Sequence, residues 1–85
     1  MQIIYTPKFI RLYKKLSNEI KRITERKEIV FRKDPFAASL KTHKLNGVFE
    51  GLYSFSIDYS HRIIFEFGEE GTVYFHTIGD HDIYK

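Results

Sequence analysis

Hydrophobic residues change their spacing once along this chain, near its midpoint. Before that point Phe9, Leu12, Tyr13 and Leu16 recur at i, i+3, i+4 and i+7, and Ile20, Ile23, Val30 and Phe31 fall close to one face of a second helix. After it, Tyr53, Phe55 and Ile57 alternate with Ser54, Ser56 and Asp58, while Ile63, Phe65 and Phe67 alternate with Arg62, Ile64 and Glu66. A chain so divided keeps helices and strands in separate halves. It indicates an α+β domain whose two helices cover one face of a mostly antiparallel, twisted sheet.

Local signals mark where the elements begin and end. Gln2 to Tyr5 is a short β-favouring run, followed by Thr6-Pro7, a capping hydroxyl and a proline suited to the first helical position. Ser17 caps the second helix, which has Glu19 in its first turn and ends with Arg32 and Lys33 before Asp34-Pro35, charges that complement the helix dipole. Tyr59 to His61 reads as a turn, Gly68 to Gly71 as a hairpin connection, Thr72 to Ile78 as the last strand and Gly79 to Lys85 as a tail. The expected order is an N-terminal strand, a two-helix hairpin and a three-stranded antiparallel meander. Leu40 to Gly47 reads equally as extended chain or loop.

Eighty-five residues hold a single hydrophobic core, so residues 1–85 are expected to be one domain. Cysteine is absent, which excludes disulfides and thiolate metal sites and fits a reducing compartment, the cytoplasm by default. Met1 to Pro7 lacks the apolar stretch of a signal peptide, and no run approaches the ~18 apolar residues of a membrane span. Net charge is only +3, but 12 of the 14 Lys and Arg lie between Lys8 and Lys44 with 4 acids, whereas residues 45–85 carry 2 basic and 7 acidic side chains. A basic half of this kind fits a polyanion partner, whose condensed counterions are released on binding. Its plainer reading is a pair of solvated helix faces.

Four stretches then resemble a known family when taken in order. They are Leu40-Lys41-Thr42-His43-Lys44-Leu45-Asn46-Gly47, Gly51 to Ile57, Arg62-Ile63-Ile64-Phe65, and Ile78-Gly79-Asp80-His81-Asp82-Ile83-Tyr84. The set resembles the RelE/ParE superfamily, specifically RelE/StbE-type toxins of the YafQ and YoeB branches, over essentially the whole chain. The resemblance implies a RelE-like fold with helices on one sheet face and an RNA-receiving concavity on the other. It also implies a type II toxin that cuts mRNA in the ribosomal decoding site and is held inactive by an antitoxin protein. No metal and no cofactor would be needed, the ribose 2′-hydroxyl being the nucleophile.

Such chemistry requires a base for the 2′-hydroxyl, a cation for the phosphoryl oxygens and an acid for the 5′-oxygen. His81, in the family's Gly-x-His tail, is the expected general acid, since imidazole exchanges protons near neutral pH. Arg62, on the strand side opposite Ile63 and Phe65, is the expected phosphate clamp. His43 lies where YafQ-type toxins have a catalytic histidine and is the candidate base. Lys41 and Lys44 are candidate phosphate contacts, Tyr84 a candidate stacking or hydrogen-bonding group, and Asp58 an orienting carboxylate. The plainer readings are a surface histidine for His81, an arginine pairing with Glu66 or Asp58 for Arg62, a basic loop for Lys41, and a sheet-edge aromatic for Tyr84. His61 and His76 carry no motif and read as structural or exposed.

The sequence also departs from the family pattern. Ser56 and Ser60 stand where YafQ-like chains have His and Asp, and the basic lining is sparser than in RelE. Two rival functions follow: a ParE-like inhibitor of DNA gyrase, and a degenerate toxin that only binds its antitoxin. Expected partners are thus an antitoxin, mRNA and the ribosome, with operator DNA reached only through the antitoxin complex and no membrane.

Overall fold

In the computed structural model, which describes residues 1–80 and 83, strand β1 (Gln2–Tyr5) runs directly into helix α1 (Pro7–Lys14). Thr6 makes the change of direction: its backbone is extended and its Oγ1 accepts a hydrogen bond from the Phe9 N–H at 3.1 Å, with proline at the first helical turn. Ser17 repeats the device for α2 (Asn18–Lys33), its Oγ accepting from the Ile20 N–H at 3.2 Å. Asp34, with φ −159°, stops α2 before Pro35.

The region left open by sequence, Leu40 to Gly47, contains both kinds of structure. A 3-10 turn at Ala38–Leu40 leads to the two-residue strand β2 (His43–Lys44), and a second such turn follows at Gly47–Phe49. Strands β3 (Tyr53–Ser56), β4 (Arg62–Phe67) and β5 (Thr72–Gly79) form the expected meander. Among the described residues the sheet has five strands in the order β1-β5-β4-β3-β2. The meander is therefore extended at both edges, by β2 antiparallel to β3 and by β1 parallel to β5.

Both helices lie on one face, where Phe9 of α1 and Phe31 of α2 join Phe55, Ile63, Phe65, Val73, Phe75 and Ile78 in the core. Phe31 is fully buried and is the hub: its ring lies 4.8 Å from Phe55, 4.9 Å from Phe65 and 5.4 Å from Phe75. Strict alternation along β5 would put Phe75 and Ile78 on opposite faces. An irregularity in the β4–β5 pairing resolves the conflict, because Phe65 pairs with Phe75 while the preceding Ile64 pairs with Thr77, leaving His76 as the extra residue. Both hydrophobic residues then face the helices.

Candidate active site

Residues directly opposite one another on neighbouring strands share a sheet face. His43, Ser54, Ile64 and Thr77 accordingly form one row across β2, β3, β4 and β5 on the face away from the helices, and Ser56, Arg62 and Gly79 form the next. This face is not bare: Ile64 is only 1% exposed and lines a groove of ≈ 410 Å³ with Phe49, Leu52, His76 and Ile83. A second cleft of ≈ 450 Å³ lies on the helix side, between Lys8, Leu12, Lys15 and Leu16 of α1 and His61, Ile78 and Asp80. Lys8, Thr77 and Ile83 line both, so the two adjoin at the end of β5.

Arg62 starts β4 on the face predicted for it, half-buried. Its Nη1 donates to the carbonyl oxygens of Asp58 at 2.9 Å, His61 at 3.0 Å and Tyr59 at 3.4 Å. The guanidinium is thus fastened to the backbone of the β3–β4 turn rather than to the Glu66 or Asp58 carboxylate. That turn is itself built on Asp58, whose Oδ1 accepts from the backbone N–H of Ser60 at 2.8 Å and of His61 at 2.7 Å, and lies 3.0 Å from His61 Nδ1. Burial pushes the Asp58 carboxyl up, but the hydrogen bonds from the His61 ring and from the two N–H groups prevail and hold it below the usual carboxylate range. Asp58 therefore orients a histidine, but that histidine is His61, which the sequence left without a role.

The basic candidates are spread more widely. His43 is exposed on the edge strand, with Nδ1 3.1 Å from the Lys41 carbonyl oxygen. Two strand spacings and two residues of register separate it from Arg62, roughly 12 Å between Cα positions. Lys44 pairs with Tyr53 and so belongs to the helix-side face, opposite to His43. Its side chain therefore leaves the edge strand on the other side from His43, since successive strand residues point to opposite faces. Lys41 occupies a left-handed backbone position, φ 52°, and is exposed.

His81 and Tyr84 lie outside the described residues. The neighbouring Gly79 pairs with Arg62, and the Ile83 N–H donates to the Asp80 carbonyl oxygen at 3.1 Å. Ile83 packs so closely on Gly79 that a Cβ there would collide with its Cγ2. His76, also without a motif, lies with Nε2 2.8 Å from Glu66 Oε1. Among the described residues no group of three or more His, Cys, Asp or Glu is arranged to hold a metal ion, and no helix is long and apolar enough to cross a membrane.

No protein-family model matches the chain, and no curated protein matches it by sequence. Its architecture does match solved structures. YafQ from E. coli strain BL21(DE3) superposes with a TM-score of 0.81 at 16% identity, covering 98% of this chain and 96% of that one. A YoeB/ParE toxin from Agrobacterium tumefaciens gives 0.81 at 19% identity over 95% and 99%. A chain of the YoeB-YefM complex from Staphylococcus aureus gives 0.78 at 16% over 95% and 97%. At such identities the likeness is one of architecture, and it spans almost every residue: the chain has the RelE-like fold shared by YafQ and YoeB.

Proposed function

We propose that this chain is the toxin of a type II toxin–antitoxin pair, acting in the cytoplasm as a metal-independent endoribonuclease on ribosome-bound mRNA. One observation carries the reading. In a RelE-like fold described from β1 to the end of β5, Arg62 sits directly opposite Gly79, two residues before His81 in the sequence. In the proposed reaction an imidazole removes the 2′-hydroxyl proton, a duty for which the sequence offers His43. Arg62 neutralises the phosphoryl oxygens, His81 protonates the departing 5′-oxygen, and Tyr84 stacks on a base. Lys41 contacts the RNA strand at the β2 edge.

The partner is an antitoxin, as in the YoeB-YefM complex, whose fold resembles this chain. A disordered antitoxin segment that orders on binding suits the basic helices. The ribosome supplies substrate alignment for in-line attack, so free RNA is cut poorly. The test is expression without antitoxin, followed by sequencing RNA ends on stalled ribosomes. Fragments ending in 2′,3′-cyclic phosphate, absent for His81→Ala and Arg62→Ala, support the reading. Growth arrest with intact mRNA and gyrase-dependent DNA breaks would replace it with a ParE-like activity.

One observation favours a second reading, the antitoxin-binding module without catalysis. Arg62 Nη1 already binds three backbone carbonyls. If the parent leaves both mRNA and growth untouched, this reading stands instead.

A further inference from the structure

The β3–β4 turn builds an acid–base unit that none of the family motifs contains. Asp58 Oδ1 gathers three donors within 3.0 Å, one of them the His61 ring through Nδ1. Because these bonds keep the carboxyl ionised at neutral pH, it acts as an acceptor. The proton on the ring then resides on Nδ1, leaving the lone pair on Nε2. The imidazole is about a quarter exposed and lines a cleft against α1 whose floor is apolar (Leu12, Leu16, Ile78) and whose rim carries Lys8, Lys15 and Asp80. Two α1 ammonium groups on that rim suit a phosphodiester, with Asp80 as the opposing charge. His61 lies opposite Ile57 and so leaves β4 on the other side from Arg62. But the Arg62 guanidinium folds back onto the same turn through the Asp58 and His61 carbonyl oxygens, whereas His43 lies on the far edge of the sheet.

We propose that His61, held by Asp58, is the general base of this site, with Lys8 and Lys15 contacting the RNA phosphates; the assignment rests on the ribonuclease reading above. His61 Nε2 takes the ribose 2′-hydroxyl proton, and the 2′-oxygen bonds to phosphorus. The P–O5′ bond breaks in the same step, and the 5′-oxygen takes a proton from the general acid. Asp58 is a positioning residue: it sets the tautomer and the ring plane without touching substrate. The D-x-x-H spacing of Asp58 and His61 in one turn thus supplies the carboxylate–histidine pair that Ser56 and Ser60 do not.

The test measures ribosome-coupled cleavage by the parent and by His61→Gln, Asp58→Asn and Lys8→Ala. It is paired with ¹⁵N NMR of the imidazole rings during titration with uridine 3′-phosphate. Expected are a kcat about 100-fold lower or more for His61→Gln with little change in KM, and an intermediate loss for Asp58→Asn. Lys8→Ala should raise KM with kcat kept. The His61 ring should show the Nδ1-protonated pattern in the parent, lose it in Asp58→Asn, and shift as uridine 3′-phosphate binds. An active parent with undiminished His61→Gln, or a His61 signal unmoved by the nucleotide, overturns this assignment alone. A parent that cuts no RNA overturns the ribonuclease reading and this assignment together.

Discussion

Arg62 and Gly79 face each other across β4 and β5, and Ile83 rests on the bare Cα of that glycine. The strand that carries the arginine and the segment that carries the C-terminal turn are thereby brought to one place by backbone pairing. The glycine matters for its missing side chain, because its Cβ would occupy the position of the Ile83 Cγ2 methyl.

Gly79→Ala should therefore separate folding from function. The sheet pairing on either side of residue 79 needs no change, so stability should fall by only about 1 kcal/mol. Ile83 must move, and with it the turn that begins at Asp80, so RNA cleavage should drop at least tenfold. Thermal unfolding and end-mapping on the same preparation check both halves.

Arg62→Ala should lower stability as well as activity. Its Nη1 bonds to the carbonyls of Asp58, Tyr59 and His61 clamp the β3–β4 turn, a contribution of about 1–2 kcal/mol for a partly exposed charged donor. Urea denaturation should show that loss. Full stability combined with lost cleavage would mean that the guanidinium serves the phosphate alone.

Phe31→Ala should be the most damaging core substitution of this set. Three rings contact Phe31, and no water reaches it. Truncation should cost about 3–5 kcal/mol, a large share of what a domain this size possesses. Phe31→Leu, which fills more of the space, should cost less than half as much by the same denaturant measurement.

Asp58 predicts a pH dependence of stability. Its folded carboxyl lies below the ordinary range, so the unfolded chain binds the proton more readily. The stabilisation is complete above the unfolded pKa of ~3.9 and is lost as pH falls through the lower folded value. Asp58→Asn keeps an oxygen for the two backbone N–H groups but removes the charge. Urea midpoints at pH 7, 4 and 2.5 should converge for parent and variant on the acid side, and a constant gap would refute the linkage.

Much of this fold was legible because the signals are local. Thr6, Ser17 and Asp34 bound the helices as their side chains dictate, and alternation from Tyr53 onward located β3 and β4 and placed Ile63 and Phe65 inward. What escaped is non-local or too short. Two residues, His43 and Lys44, cannot display a period, so β2 went unassigned and the faces of its two side chains were not readable. Pairing of β1 with β5 spans seventy positions and leaves no trace in either segment. The irregularity beside Phe65 hides in β5, where Phe75 and Ile78 break alternation yet share the core.

The candidate site was legible in part. The face that Arg62 occupies followed from strand register, whereas the roles given to the tail after Gly79 rest on its resemblance to a family motif alone. The contact between His61 and Asp58 was missed because an Asp-x-x-His turn looks like any polar turn until the ring is seen 3.0 Å from the carboxylate. The signal available was the spacing itself, which suits an Asx turn whose third residue can fold its side chain back.

The parallel pairing of Gln2–Tyr5 with Thr72–Phe75 has a consequence for synthesis. Strand β1 has no neighbour until β5, about seventy residues later, has left the ribosome, and the anchor of α1 through Thr6 to the His76 carbonyl oxygen waits as well. Pairs β2–β3 and β3–β4 can form earlier, but closure of the β1 border waits for β5, and a chain cut short before β5 is left with an unzipped border rather than a smaller working domain.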